Sequence, residues 1–278
     1  MKKTFFAALA LAMAIPAAFA QLSGTFTWGG STTVSPIAYA AIEQFQKDNP
    51  GVKITYESTG SGAGITSLLK DQYSLAGSSS ELSQAQKDGG AFATAIGMDG
   101  LSVVVNKNVK LSNITKANLA KVYHGDITNW KDLGGVDAKI VVVNRDEASG
   151  TYVSFYDIFL KSSFAKITEA YTKDAIVTKE SGEVAAKVTA TPNSIGYIGM
   201  AFSDQVVAAG GRELMVDGVA PTVANVVTKK YGGSRFLYVV TKGEPKAGSV
   251  EKAFSDFLLS PKGQAIVKST DYIPLPKK

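Results

Sequence analysis

The segment that most constrains the fold is residues 29–36, whose sequence Gly-Gly-Ser-Thr-Thr-Val-Ser-Pro stops at a proline. Proline is favoured at the first position of a helix, and apolar residues recur at helical spacing between Ile37 and Phe45. Thr32 and Thr33 are therefore predicted to lie at the amino terminus of a helix. Because the first backbone N–H groups of a helix have no partner within it and the helix dipole is positive there, this loop is suited to hold an anion.

Strand-like and helix-like segments alternate along most of the chain. Apolar and β-branched patterns predict strands at residues 52–57, 74–78, 101–106, 140–144, 195–198 and 236–241. Helical spacing predicts helices at residues 65–69, from about residue 80, and at residues 152–159, 249–259 and 261–268. This alternation predicts an α/β architecture in which helices flank mostly parallel strands.

Two short glycine-containing segments, residues 97–100 and residues 232–234, each adjoin a hydrophobic strand. We interpret them as the points where the chain crosses between two lobes, with ordinary surface turns as the alternative. The predicted boundaries place residues 21–100 and 235–278 in lobe I and residues 101–234 in lobe II. Two crossing segments would let the lobes move as rigid bodies about a hinge.

The amino-terminal residues have the pattern of an export signal. Two lysines follow Met1, an apolar stretch runs from Phe5 to Ile15, and Ala18-Phe19-Ala20 has the form of a signal peptidase site. Residues 1–20 are predicted to be a cleavable signal peptide, cut after Ala20, rather than a membrane anchor. The sequence has no cysteine, which excludes disulfides and a lipid-attachment cysteine and favours a free periplasmic protein.

Charge and motif content argue against several classes of function. The formal net charge is +5 and the lysines are scattered, a pattern that can steer a small anion but does not predict nucleic-acid binding. With no cysteine and with His124 as the single histidine, neither a transition-metal site nor any cofactor is predicted. The phosphate-loop lysine motif and the Gly-x-Ser-x-Gly elbow are missing, and the Ser-x-x-Lys of residues 67–70 reads as a helix face. An enzyme is therefore not expected.

Two further loops resemble the first in composition. Residues 60–64, Gly-Ser-Gly-Ala-Gly, place Ser61 between a strand and a helix, and residues 77–80, Gly-Ser-Ser-Ser, place Ser79 in the same way. The isoleucine at position 65 stands where a dinucleotide-binding fingerprint requires glycine. Each loop by itself is more typical of a helix cap than of a ligand site.

The fourth loop, residues 145–151, is more specific because it begins with an arginine. Arg145 offers a planar fork of donors that matches a tetrahedral oxyanion, and the Ser-Gly-Thr at 149–151 begins the next predicted helix. A surface Arg–Glu pair followed by a serine cap is the alternative. All four loops follow strands, and ligands of open α/β sheets bind beyond the carboxyl ends of the strands. Together the loops predict one anion site.

The chain resembles the periplasmic phosphate-binding proteins of ABC-type phosphate importers. The resemblance covers nearly all of the predicted mature chain, and its motifs occur in the family's order at residues 30–36, 60–64, 124–130, 145–151, 192–197 and 257–264. It implies a two-lobed, type II periplasmic-binding-protein fold with a mixed, mostly parallel sheet in each lobe and two hinge segments. It further implies a monomer that closes around inorganic phosphate and delivers it to the membrane subunits of an ABC permease.

The resemblance also implies which residues bind phosphate. These are Ser31, Thr32, Thr33, Ser61, Ser79, Arg145, Ser149, Gly150 and Thr151, and Glu147 matches an acid that pairs with the arginine in the family. Many members carry, at the position of Ser79, an aspartate that accepts the proton of phosphate. A serine leaves other tetrahedral oxyanions open as ligands, namely sulfate, molybdate and tungstate. An exported phosphatase that uses Arg145 to hold a phosphoryl group is a further alternative.

Overall fold

The computed structural model describes residues 22–276, so the predicted signal peptide lies outside the described residues. Ten strands make up the sheet of this part of the chain: β1 (Gly24–Gly30), β2 (Val52–Glu57), β3 (Leu75–Ser78), β4 (Ala91–Val105), β5 (Asn113–Ile114), β6 (Val141–Arg145), β7 (Ile176–Thr178), β8 (Ser194–Gly199), β9 (Arg212–Val216) and β10 (Ser234–Lys242). Each strand predicted from the sequence is found, and the strand predicted to begin at residue 101 is the second part of the longer β4.

Helices connect most of the strands. They are α1 (Ser35–Asp48), α2 (Ser61–Leu69), α3 (Gln84–Asp88), α4 (Lys116–His124), α5 (Gly150–Phe155), α6 (Ser181–Ala190), α7 (Met200–Ala208), α8 (Val223–Val227), α9 (Val250–Leu259) and α10 (Pro261–Ser269). A π-helical turn, Tyr156–Leu160, continues α5, and short 3₁₀ turns occur at Trp130–Leu133 and Ile167–Glu169. The sequence pattern did not predict α4, α6, α7 or α8.

The sheet is mixed, and its strand order is β2-β1-β3-β10-β4-β8-β6-β7, with β9 pairing to both β4 and β5. β1 pairs in parallel with β2 and β3, and β6 pairs in parallel with β7 and β8. Residues 91–100 of β4 pair with β10, whereas residues 101–105 pair with β8 and β9. β4 therefore runs through both lobes of this α/β fold and changes its partners after Gly100.

Each lobe has its own aromatic core. In lobe I, Trp28 and Phe45 both pack edge-on against Phe254, with ring centroids 5.2 and 5.0 Å apart. In lobe II, Phe155 stacks on Tyr197 with a centroid separation of 3.9 Å. Each core is made almost entirely of residues from one of the two predicted lobes, so the two cores are packed largely independently of each other.

Local sequence signals explain where several helices begin and end. The helix predicted from about residue 80 is the shorter α3, because Ser83 caps it by accepting a hydrogen bond from Gln86 N at 3.2 Å. Helix α4 continues through His124, the single histidine of the sequence. Gly125 ends α4 with a φ of 99°, a left-handed conformation that favours glycine.

Candidate anion-binding site between the lobes

The predicted anion loops meet between the lobes, where the hydroxyls of two threonines contact each other. Thr33 lies between β1 and α1 in lobe I, and Thr151 lies in the first turn of α5 in lobe II. Their Oγ1 atoms are 3.0 Å apart, and both residues are buried. The loop at the end of β1 and the loop at the end of β6 are thus brought together, as their position after parallel strands predicts.

The hydroxyls of Ser181 and Thr32 complete this cluster. Ser181 is the first residue of α6, and its Oγ lies 3.1 Å from Thr32 Oγ1 and 3.2 Å from Thr33 Oγ1. We refer to Thr32, Thr33, Thr151 and Ser181 as the hydroxyl cluster. The sequence analysis did not predict Ser181. A signal existed in the Glu-Ser-Gly-Glu at residues 180–183, because acids next to a small residue are typical of a helix start.

Arg145, the last residue of β6, donates to the hydroxyl cluster from a buried position. Its Nη2 donates to Thr32 Oγ1 at 3.0 Å and to the carbonyl of Lys179 at 2.8 Å, and its Nη1 donates to Ser181 Oγ at 3.3 Å. Its Nε is buried and has no hydrogen-bond partner among the described residues. Burial lowers the pKa of Arg145, yet an arginine starts so far above neutrality that it stays charged. The site therefore contains a buried positive charge with a donor still to be satisfied.

The acids next to Arg145 do not hold its guanidinium as expected. Glu147 is exposed, and the guanidinium donors that have partners bond to Thr32, Ser181 and the Lys179 carbonyl instead. The structure thus gives no support to Glu147 as the residue that orients Arg145, because the turn directs it to solvent. Asp146 is the nearer acid: burial raises its pKa, the charge of Arg145 partly offsets this, and its Oδ1 has no partner among the described residues.

Two of the predicted serines use their hydroxyls to cap the turns of the site. Ser149 Oγ accepts hydrogen bonds from the backbone N–H of Thr151 at 3.1 Å and of Tyr152 at 3.3 Å, which makes Ser149 the N-cap of α5. Ser31 Oγ accepts in the same way from Thr33 N at 3.2 Å and Val34 N at 3.3 Å. These serines therefore shape the loops that carry the threonines.

Gly150 allows the second and third loops to approach α5 closely. A Cβ at this position would lie 2.3 Å from Ser61 Oγ and 2.8 Å from Ser79 Oγ, distances that side chains do not adopt. Ser61 Oγ also accepts a hydrogen bond from Ser79 N at 3.2 Å. Ser61 and Ser79 are thus buried beside the start of α5, and all four predicted loops converge on one place.

Hydrogen bonds across the cleft hold these loops against one another. Gly62 N in lobe I donates to the carbonyl of Ala148 in lobe II at 2.9 Å. Ser154 Oγ in lobe II donates to the carbonyl of Ser79 in lobe I at 2.7 Å. The structure consequently presents the lobes in contact, with the polar side chains of the site shielded from water.

A second arginine, Arg235, reaches the site from β10. Its Nη1 donates to Thr151 Oγ1 at 3.0 Å and to the Ser79 carbonyl at 3.2 Å, while its Nη2 and Nε donate to Asp99 Oδ2 at 2.7 and 3.0 Å. The sequence analysis did not predict either residue. Asp99 belongs to one proposed crossing segment and Arg235 directly follows the other. The opposite charges at these two crossings could have predicted that the residues pair.

A model of the PBP superfamily domain matches residues 16–262 of this chain. The chain belongs to the PBP superfamily. Phosphate-binding protein PstS of Borreliella burgdorferi is 40% identical over 246 residues, which cover 88% of each chain. Phosphate-binding protein PstS of Bacillus subtilis is 33% identical over 92% of this chain and 82% of that protein.

A solved structure also resembles this member of the PBP superfamily. It is a putative phosphate ABC transporter substrate-binding protein with bound phosphate from Clostridium perfringens, 34% identical and with a TM-score of 0.82. The similarity covers 91% of this chain and 100% of that one. The two sequence relatives are named phosphate-binding proteins and the solved structure is named a substrate-binding protein, and that structure shares the two-lobed α/β fold described above.

The chemistry of the site is that of anion binding by neutral donors and buried guanidinium groups. Hydroxyls, helix N-terminal N–H groups and arginines donate hydrogen bonds, and an oxyanion accepts them. Within residues 22–276, no group of three or more histidine, cysteine, aspartate or glutamate residues is arranged to hold a metal ion. In the same range, none of the helices combines the length and the apolar character needed to span a bilayer.

Proposed function

We propose that this protein is the phosphate-binding component of an ABC-type phosphate import system. The observation that carries the proposal is Arg145, a buried guanidinium that lies among hydroxyls from both lobes and keeps one donor without a partner. A tetrahedral oxyanion accepts several hydrogen bonds at once and compensates the buried charge. Relatives of similar length are named phosphate-binding proteins, which favours phosphate among such anions.

The proposed phosphate ligands are the residues that the four loops bring together. Thr32, Thr33 and Thr151 would donate through hydroxyls, Ser61 and Ser79 from beside α5, and Arg145 through its guanidinium. Ser31 and Ser149 would contribute mainly by shaping the loops, given the hydrogen bonds that their hydroxyls already accept. Gly150 would contribute its backbone N–H group and the close approach that it allows.

Binding and closure are proposed to be one equilibrium. Lobe I, residues 21–100 and 235–278, would carry part of the donors, and lobe II, residues 101–234, the rest. The change of strand partners after Gly100 supports these boundaries. Phosphate would gain the full donor set only when the cleft is shut, and a permease can then recognise the closed form.

The proposed setting is the periplasm. The signal peptide would be cleaved after Ala20, and the mature protein would act as a free monomer that delivers phosphate to the membrane subunits of the permease. Scattered lysines and the lack of a concentrated basic stripe argue against a nucleic-acid partner.

The proposed activity is binding without catalysis. The site offers donors and positive charge, and none of its described hydroxyls contacts a histidine or a carboxylate that would activate it as a nucleophile. An exported phosphatase is the alternative from another class. Incubation of the purified protein with a chromogenic phosphate ester separates the two, because an enzyme releases product and a binding protein does not.

Titration calorimetry with phosphate, arsenate, sulfate and molybdate tests the proposal. We expect tight binding of phosphate with a stoichiometry of one. A protein that binds sulfate or molybdate and not phosphate would show instead that the site serves another tetrahedral oxyanion, which the serine at position 79 leaves chemically open.

A further inference from the structure

Arg235 and Asp99 form a buried ion pair where the two lobes join. The two residues stand opposite each other in the pairing of β10 with β4, one pair before Gly100, where β4 changes its partners. Their side chains are almost fully buried, with Arg235 Nη2 2.7 Å from Asp99 Oδ2. Gly199 makes room for the pair, because a Cβ there would lie 2.6 Å from Asp99 Oδ2.

One nitrogen of Arg235 is directed away from Asp99 and towards the hydroxyl cluster. Nη1 donates to Thr151 Oγ1 at 3.0 Å, and the same hydroxyl contacts Thr33 Oγ1. Arg145 contacts the cluster through different members, Thr32 and Ser181. The two guanidinium groups therefore flank the four hydroxyls from different sides.

The carboxylate of Asp99 is fully occupied by partners other than the hydroxyl cluster. Oδ2 accepts hydrogen bonds from Nε and Nη2 of Arg235, and Oδ1 accepts one from the backbone N–H of Met200 at 3.1 Å. Asp99 thus fixes Arg235 without presenting a free acceptor to the cluster. Nη1 donates to Thr151 Oγ1 and to the Ser79 carbonyl, so an anion beside the cluster gains a donor of Arg235 by replacing the Thr151 hydroxyl. Such an anion meets no repulsion from an unengaged Asp99 oxygen.

The charges of the two arginines are close enough to interact. The positive charge of Arg235 adds to burial in lowering the pKa of Arg145, although burial is the larger cause. Asp99 neutralises one of the two guanidinium charges through direct contact, and Arg145 has no carboxylate contact among the described residues. A doubly charged oxyanion between them would offset both the remaining charge and the repulsion.

We propose that Arg235 is a second arginine that binds the anion, held in position by Asp99, and that the site is built for a doubly charged tetrahedral oxyanion. This inference rests on the proposed phosphate binding. Asp99 is a positioning residue in this arrangement, since it acts through Arg235. The ion pair lies at the junction of the lobes, so Nη1 of Arg235 is already in position when closure of the cleft brings Thr151 to it.

The test uses inorganic phosphate as the probe and four variants of the mature protein. Arg235→Gln removes the proposed donor but leaves Asp99 buried without its partner. The double variant Asp99→Asn with Arg235→Gln removes both charges, so no unpaired buried charge remains to prevent folding. Arg235→Lys keeps the charge and loses the planar fork. Arg212→Gln, on β9 where its partner is Val105, controls for the loss of one positive charge.

For each variant, calorimetry measures the phosphate affinity, and thermal unfolding measures the melting temperature. We expect the double variant to recover the melting temperature lost in Arg235→Gln and still to bind phosphate roughly 30-fold or more weakly than wild type. Arg235→Lys should fold and lose about tenfold in affinity, because one charge-assisted hydrogen bond is lost. Arg212→Gln should bind as wild type does.

Wild-type phosphate affinity in the folded double variant, or in Arg235→Lys if the double variant does not fold, would overturn the inference and leave Arg235 as a structural brace. That result is distinct from failure of the proposed function. In the latter case the wild-type protein itself would not bind phosphate.

Discussion

Thr33 and Thr151 hydrogen-bond to each other through their side-chain hydroxyls at 3.0 Å, although 118 positions separate them in the sequence and they belong to different lobes. Thr33 lies just before α1 and Thr151 lies in the first turn of α5, so the contact joins the N-termini of two helices. The contact marks the centre of the proposed anion site. It also means that any change in lobe closure alters the site directly.

Replacement of Arg145 should weaken phosphate binding more than replacement of Thr32. Arg145→Ala removes a buried charge-assisted donor, for which we expect a loss of about 2 to 5 kcal/mol, against about 1 to 3 kcal/mol for the neutral hydroxyl lost in Thr32→Val. Calorimetry measures both affinities, and circular dichroism verifies the fold. Wild-type affinity in Arg145→Ala would remove this residue from the site.

Phosphate should close the lobes of the wild-type protein. Hydrogen bonds such as Gly62 N to the Ala148 carbonyl, 2.9 Å, form only when the lobes meet, and phosphate supplies further contacts to both. We expect a smaller radius of gyration in small-angle scattering and a higher melting temperature that rises with phosphate concentration. An unchanged radius in a sample shown to be saturated would argue for a cleft that is closed without ligand.

Ser79→Asp should sharpen the selectivity of the site. The new carboxylate accepts a hydrogen bond from the O–H group of monohydrogen phosphate but repels a fully ionised anion, which costs about 2 to 5 kcal/mol in a dry cleft. Phosphate should still bind, and sulfate or molybdate should not. Competition titrations at two pH values measure this, with Ser79→Asn as the uncharged control. Equal loss of phosphate and sulfate would show that position 79 does not contact the proton of the ligand.

Gly150→Ala should impair binding while leaving the fold intact. Alanine suits a helix, but its Cβ would lie 2.3 Å from Ser61 Oγ in the opposite lobe, so the cleft cannot shut fully. Gly182→Ala is the matched control, because Gly182 also lies in the first turn of a helix and its Cβ would meet nothing within 4 Å. We expect at least about a tenfold loss of phosphate affinity for Gly150→Ala and no loss for the control. Equal affinities would place Gly150 away from the closing surfaces.

Glu183 should stabilise the protein at neutral pH but not in acid. Hydrogen bonds from the backbone N–H groups of Lys179 and Glu180 hold the pKa of Glu183 below its ordinary value of 4.5. A depressed carboxyl pKa contributes stability above the unfolded value, and this stability is lost as pH falls through the folded value. Glu183→Gln should therefore lower the free energy of unfolding at pH 7 by less than about 1 kcal/mol, because Glu183 is exposed. This loss would be measured as a slightly lower melting temperature. The difference from wild type should vanish in acid. A difference that persists there would mean that the hydrogen bonds matter and the charge does not.

Much of the fold follows from signals that are local in the sequence. The proline at position 36 places the start of α1, and Gly125 ends α4. Every strand that the apolar segments predicted is present in the α/β sheet. Helices α4, α6, α7 and α8 escaped prediction because their amphipathic patterns are short, and packing against the sheet decides whether such segments are helical.

Some features of the candidate site likewise follow from the local sequence, and others depend on the tertiary structure. The sequence by itself determined the four loops, since a strand, a run of small hydroxylated residues and a helix start are neighbours along the chain. Only the tertiary structure decided which side chains meet there. It directed Glu147 to solvent, brought Ser181 to Arg145, and paired Arg235 with Asp99 across 136 positions. Side-chain direction at a turn and the register between distant strands depend on packing over the whole sheet, and no local spacing encodes them.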